Sequence, residues 1–126
     1  MEKQTTLSNS EWIIMEQLWG KPHTLMELVS ILGQRVGWSK STVATMVRRM
    51  EEKGVIIHTE QGRTKLFSPA VSRVDVTTRE TKNLLQRAYH GSLGLLVNTM
   101  VQCKDLTKED IEELYSILKK AAEDAT

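Results

Sequence analysis

Apolar residues recur along this chain with two different periods, and the switch between them organises its first half. From Leu7 to Lys53 the spacing is helical and falls into three short blocks. In the first, Trp12, Met15 and Trp19 share a face with Ile14 and Leu18 alongside, until Gly20 and Pro22 stop the run. Ser8-x-x-Glu11 opens that block as a capping box, with Leu7 and Trp12 spaced for a hydrophobic staple. A second box, Thr24-x-x-Glu27, opens a helix carrying Leu25, Leu28, Val29 and Leu32 that is expected to fade at Gly33. The third block has Ser39 as N-cap, Trp38 and Val43 as staple, and Gly54 as a left-handed C-cap. Its Val43, Met46, Val47 and Met50 form one stripe at i, i+3, i+4 and i+7, which must pack on a core. Three short capped helices in a row are a helix-turn-helix layout.

The opposite face of the third helix carries Thr42, Thr45 and Arg49, with Ser41, Arg48 and Glu52 beside them and Ser39 and Lys40 at its start. A helix held down on one side, with short hydroxyls and guanidinium groups on the other, suits a DNA major groove, where those groups reach phosphates and base edges. An ordinary surface helix with a solvated polar face gives the same local pattern. Residues 55–69 separate the two readings. At Val55-Ile56-Ile57 the period becomes that of a strand, Gln61-Gly62-Arg63 signals a turn, and Lys65-Leu66-Phe67 resumes extended character before Pro69. Strand, turn and strand directly after the third helix make a β-wing. Arg63 and Lys65 lie at its tip, within reach of phosphates or simply solvated. The predicted fold class is therefore mainly α with a small β-wing: a winged helix-turn-helix DNA-binding domain over 1–70, followed by a helical dimerisation region over 71–126.

That second region reads as three amphipathic helices. One runs from about Val74 to His90, with Leu84, Leu85 and Ala88 towards its end, and Gly91-Ser92 breaks it. Leu93, Leu96, Val97, Met100 and Val101 follow at helical spacing. The last helix opens at Thr107 with Leu106 and Ile111 as staple, and Glu109, Asp110, Glu112 and Glu113 near its positive dipole end. Its apolar stripe is Ile111, Leu114, Tyr115, Leu118 and Ala122. Three such helices within about 50 residues, lacking a partner sheet, cannot hide every apolar face in one small subdomain. A two-fold homodimer would bury them through Leu84, Leu85, Leu93, Leu96, Val97, Met100, Ile111, Leu114, Tyr115 and Leu118. Folding back on the first domain as a monomer is the alternative.

Composition bounds the rest. The 126 residues suffice for one ordinary domain, or a small one with an appendage, and 40% are hydrophobic. Net charge is only +1, so electrostatic affinity for DNA must come from local clustering. Residues 39–65 hold six Lys or Arg against three acids, and a dimer doubles that excess, so salt-sensitive binding is expected. No signal segment opens the chain and no apolar run approaches the ~20 residues of a membrane span, which predicts a soluble cytoplasmic protein without a membrane partner. The single Cys103 makes no internal disulfide and fits a reducing compartment. His23, His58 and His90 are scattered without ligand spacing and read as surface or partly buried, so no metal or other cofactor is expected. No Gly-rich phosphate loop, zinc-ligand cluster or nucleophile elbow is present, and no enzyme is expected.

Three stretches carry a family resemblance. Leu7-Ser8-x-Ser10-Glu11-Trp12-x-x-Met15-x-x-Leu18-Trp19 resembles the opening of the penicillinase repressor family, of BlaI, MecI and CopY type. So does Trp38-Ser39-x-x-Thr42-Val43-x-Thr45-x-x-x-Arg49-Met50-x-x-Lys53-Gly54, and Asp105-Leu106-Thr107-x-x-Asp110-Ile111-Glu112-Glu113-Leu114 is similar to that family's last helix. The resemblance runs in register over nearly the whole chain and is nearest to the BlaI and MecI branch. It implies a homodimeric winged-helix repressor on palindromic operator DNA in front of resistance or metal-homeostasis genes. It also implies that Thr42, Thr45 and Arg49 read the operator and that Arg63 is the basic wing position. Ser41 and Ala44 stand where staphylococcal-type relatives carry basic residues, so the resemblance does not imply the same operator sequence, and Arg48 either replaces that charge or faces solvent. Trp12, Trp19 and Trp38 read as core and staple residues rather than base-stacking platforms. In the β-lactam-responsive branch a membrane sensor-protease system leads to cleavage at an Asn-Phe bond in the fifth helix. The corresponding bond here is Thr99–Met100, with Asn98 one place earlier, which makes a regulatory protease a candidate partner. The copper-responsive branch carries paired Cys-x-Cys motifs, which one cysteine cannot supply.

The favoured function is an operator-binding repressor of β-lactamase or antibiotic-resistance type genes, released by proteolysis or another signal. One alternative is a winged-helix adaptor that binds protein through the same helix face, distinguished by salt-insensitive or absent DNA binding. The other is a small-molecule-sensing activator with a pocket near Met100, Cys103 and Tyr115, for which no ligand signature exists.

Overall fold

A computed structural model of the protein describes residues 6–103 and 105–125. The chain runs α1 (Asn9–Gly20), β1 (His23–Thr24), α2 (Leu25–Val36), α3 (Lys40–Lys53), β2 (Ile56–Gln61), β3 (Thr64–Pro69), α4 (Arg73–Tyr89), α5 (Leu93–Gln102) and α6 (Lys108–Asp124). It divides into two compact units between Thr81 and Lys82, within α4.

In the first unit each helix starts where its side chains satisfy the free N–H groups of the first turn. Ser8 accepts from the Glu11 N–H at 3.2 Å while Glu11 Oε1 accepts from the Ser8 N–H at 2.8 Å. Thr24 and Glu27 repeat the arrangement at 3.2 and 2.9 Å. Gly54 ends α3 with φ +90°, its N–H bonded back to the Met50 and Glu51 carbonyls. The expected end of α2 at Gly33 is corrected: the helix continues to Val36 and stops at Gly37, which takes the left-handed conformation at φ +73°. A glycine inside a helix costs roughly 1 kcal/mol relative to alanine but does not break it. The terminator is the position that adopts positive φ.

The core is built from Ile14, Met15 and Leu18 of α1, Leu28 and Leu32 of α2, Val43, Val47 and Met50 of α3, and Val55, Ile56, Phe67 and Val76. The tryptophans cover its edge. Trp12 and Trp19 meet edge to face with centroids 5.4 Å apart, and the Trp19 indole N–H donates to the Val71 carbonyl at 3.0 Å. An indole sits best where one end is apolar and its N–H finds an acceptor. Arg73 lies 4.7 Å over the Trp19 ring and donates two hydrogen bonds to the Glu16 carboxylate at 2.7 and 2.5 Å, tying the start of α4 to α1.

The wing is larger than a hairpin. The sheet has the order β1–β3–β2, with β3 central and both pairings antiparallel. β2 and β3 register from Ile56 opposite Pro69 to Gln61 opposite Thr64, around a turn in which Gly62 has φ +64°. β1 adds His23 opposite Phe67 and Thr24 opposite Leu66. His23 is thereby only 6% exposed, which corrects its reading as a surface or partly buried residue. A two-residue strand leaves no periodic trace in a sequence, and burial follows from its distant partner.

In the second unit no residue of α5 or α6 is buried. Ser92 caps α5, and Thr107 opens α6 with a reciprocal box to Asp110. Leu84, Leu93, Met100, Ile111, Tyr115 and Leu118 are 40–73% exposed, and Leu85, Leu96, Val97 and Leu114 are half-buried. Six of these ten apolar side chains thus stay largely in water and the other four only in part. A cleft of about 460 Å³ runs among Leu96, Val97, Leu106 and Leu114, edged by Asp105, Asp110 and Glu113.

Candidate nucleic-acid interface

α3 is the element on which the candidate interface rests. Val43 and Met50 are fully buried and Val47 nearly so, while Met46 and Thr45 are half-buried. This leaves Lys40, Ser41, Thr42, Arg48 and Arg49 in solvent. At the helix start Ser39 Oγ accepts the Thr42 N–H at 3.2 Å and lies 3.0 Å from Thr42 Oγ1 and 3.1 Å from Ser41 Oγ. The three hydroxyls therefore form one linked cluster, and Ser39 has a capping role whatever else it touches. Arg48 pairs with Glu52 at 3.4 Å, with both side chains about two-thirds exposed. Such a solvated pair contributes about 0–1 kcal/mol, so Arg48 can leave it for another anion. Arg49 is exposed and its guanidinium has no ion pair among the described residues.

The wing supplies the second bank. Arg63 sits in its turn and Lys65 on β3 opposite Glu60, both exposed. β2 is tied to the end of α3 by a hydrogen bond between His58 Nδ1 and the Glu51 carboxylate, and the His58 ring meets Phe67 edge to face at 5.8 Å. Sequence reasoning missed that tie, because nothing in the spacing of Glu51 and His58 marks them as partners. It also counted Lys53 among the local cations. Lys53 instead turns away to bond the Thr6 carbonyl at 2.6 Å and Glu11 Oε1 at 3.0 Å. Burial alone would raise the Glu11 pKa, but the Ser8 backbone N–H and the Lys53 ammonium together hold it below the ordinary value.

Between α3 and the wing lies an open groove of about 500 Å³ whose lining includes Leu25 and Met26 of α2. Neither was singled out as an interface residue, and only the exposure of Met26 marks it. Among the described residues no cluster of three or more His, Cys, Asp or Glu is placed to hold a metal ion, and Cys103 is exposed. Among them also, no helix is long and apolar enough to cross a membrane.

Known proteins share both this geometry and the sequence beneath it. The family model described as penicillinase repressor matches residues 7–120. The chain belongs to the penicillinase repressor family. Within that family it is 28% identical over 119 residues to the methicillin resistance regulatory protein MecI of Staphylococcus aureus strain N315, covering 94% of this chain and 97% of that one. It is 29% identical over 123 residues to the penicillinase repressor of Bacillus licheniformis, covering 95% and 94%. The fold matches the solution structure of the DNA-binding domain of the repressor BlaI with a TM-score of 0.54 and 28% identity, over 60% of this chain and 93% of that one. The winged-helix architecture, with its small antiparallel sheet, is thus common to this penicillinase repressor family member and the BlaI domain.

Proposed function

We propose that this family member is a homodimeric transcriptional repressor that holds palindromic operator DNA with one α3 per half-site. The observation that carries the reading is the division of α3. Val43, Val47 and Met50 lock the helix onto the core, so it is rigid, and Thr42 and Arg49 are exposed on one face with half-buried Thr45 between them and Lys40, Ser41 and Arg48 around them. Rigid presentation suits base reading, because the side chains need not be ordered on contact. Arg63 and Lys65 would hold flanking phosphates, which positions the protein without reading sequence.

Dimerisation through the second unit accounts for apolar side chains that a lone chain leaves in water. Two α3 helices fixed by such a dimer would meet half-sites about one helical turn apart. Bound across a promoter, the dimer would exclude polymerase. The relatives' names point to antibiotic-resistance genes as the regulated class. Release by a regulatory protease at Thr99–Met100 would require local unwinding, since the bond lies inside α5 and Thr99 Oγ1 bonds the Leu95 carbonyl at 2.9 Å.

The test is selection of bound fragments from a genomic DNA library at physiological salt, followed by sequencing. Enrichment of a palindrome upstream of a few genes is the expected result. No enrichment from a sample with a folded dimer would overturn it in favour of a protein-binding adaptor.

A further inference from the structure

His58 stands at the junction of α3 with the wing, and both of its ring nitrogens face carboxylates. Nδ1 bonds Glu51 in the last turn of α3, and Nε2 lies 3.8 Å from Glu60 Oε1 on its own strand, β2. On β3 the residue opposite is Phe67, which meets the ring edge to face and carries no charge. The cations of this face are engaged with other acids: Arg48 of α3 pairs with Glu52, and Lys65 of β3 stands opposite Glu60. An ionised carboxylate only accepts, so the bond to Glu51 puts the proton of a neutral ring on Nδ1. Nε2 then turns a lone pair towards the Glu60 carboxylate. A second proton converts that nitrogen to a donor and makes both contacts charge-assisted. Imidazole is the side chain that ordinarily takes up such a proton between pH 8 and pH 5.

We propose that His58 is a proton-operated strut that sets the wing against α3 and thereby makes DNA binding pH-dependent. The doubly protonated ring bridges Glu51 to Glu60 and fixes the strand leading to Arg63 in relation to α3. The neutral ring keeps only the Glu51 bond. The proposal rests on the repressor reading and adds a regulatory input to it. DNA held by α3 and the wing together favours the bridged arrangement, and so does the second proton, so each strengthens the binding of the other. His58 touches no DNA in this scheme and acts as a positioning residue. His23, opposite Phe67 on the other edge strand, does not do the same work. Its carboxylate neighbour, Glu27 at 3.7 Å, lies on α2, which follows β1 without a break, so a proton there joins nothing that the chain has not already joined.

The test uses the full-length protein as wild type, His58→Gln, Glu51→Gln and the double variant. Each is titrated by fluorescence anisotropy against the selected operator duplex and a scrambled duplex of the same composition, at pH 8 and pH 6 and at several salt concentrations. Both pH values lie above the ordinary carboxylate range, and His23 and His90 are common to all four proteins, so pH responses from elsewhere cancel in the cycle. Beyond the response of His58→Gln, wild type is expected to gain about two- to fivefold in affinity per protomer on going to pH 6, the range for a partly solvated charged pair. Glu51→Gln keeps the titrating ring without its carboxylate anchor on α3, and is expected to lose that gain with an unchanged salt slope. A direct contact between the imidazolium and a phosphate would instead survive Glu51→Gln and raise the salt slope by about one at pH 6. That result, or a wild type that binds DNA no more tightly at pH 6 than at pH 8, would overturn the strut and leave the repressor reading standing. A wild-type protein that binds neither duplex at either pH would remove the repressor reading, and the strut with it.

Discussion

Arg49→Ala isolates the contribution of the α3 face from the stability of the fold. The guanidinium is exposed and has no ion pair among the described residues, so its removal leaves no buried partner unsatisfied. Stability should therefore stay within about 0.5 kcal/mol of wild type. A guanidinium held on a base edge discriminates by about 1–3 kcal/mol, or roughly 5- to 150-fold per half-site. A symmetric dimer loses the contact twice, so the full operator should weaken by about thirtyfold at the least. Arg48→Ala is the internal comparison: that side chain is shared with Glu52 and should matter less to base preference. Anisotropy titrations against operator and scrambled duplexes at several salt concentrations separate the two roles. A base reader loses operator preference, whereas a phosphate contact lowers the salt slope by about one and leaves preference intact. Unchanged affinity and unchanged preference for Arg49→Ala would refute the assignment of this face to DNA.

Three further outcomes are expected. Truncation after Thr99 removes the end of α5 and all of α6, and should shift sedimentation at low micromolar concentration from dimer to monomer with loss of operator binding; a 1–99 fragment that stays dimeric would refute the role of α6. Gly54→Ala should cost about 1–2 kcal/mol by calorimetry, since φ is +90° and no atom lies within 4 Å of an added Cβ, leaving backbone strain alone. Gly20→Ala, at the end of α1 without positive φ, should cost nothing, and equal losses at the two sites would disprove the strain argument. Stability should fall on acidification. Hydrogen bonds from Arg73 hold Glu16 below the ordinary 4.5, and the Thr24 N–H holds Glu27 below it. The folded chain thus binds fewer protons than the unfolded one, so this stabilisation is complete above the ordinary carboxylate range and is lost as pH falls through the depressed values. Thermal melts from neutral pH to pH 3 should show a shallower loss for Glu16→Gln, and an identical slope would show that the Arg73 pair contributes nothing.

The features legible along the chain are those that neighbouring residues decide among themselves. Capping at Ser8, Thr24, Ser39 and Thr107 is chemistry within three residues, and each cap stands in the structure as its spacing predicts. The stripe of Val43, Met46, Val47 and Met50 is one face of one helix, so its burial, complete except at half-buried Met46, and the exposure of Thr42 and Arg49 opposite follow from period alone. The hairpin is local in the same sense. Other features depend on the backbone conformation actually adopted or on partners beyond the same element, and folding alone decides those. β1 exists because β3 offers it an edge, and His23 is buried for that reason. α2 runs on past Gly33 because a glycine without positive φ is only a weak helix former. Lys53 leaves the candidate DNA face for Thr6 and Glu11, 47 and 42 residues away, and His58 ties the wing to Glu51. The groove beside α3 draws its lining from α2, α3 and the wing, so no single stretch of sequence contains it. Periodicity and capping are short-range and can be read along a line; burial, charge pairing and concavity are properties of neighbours in space.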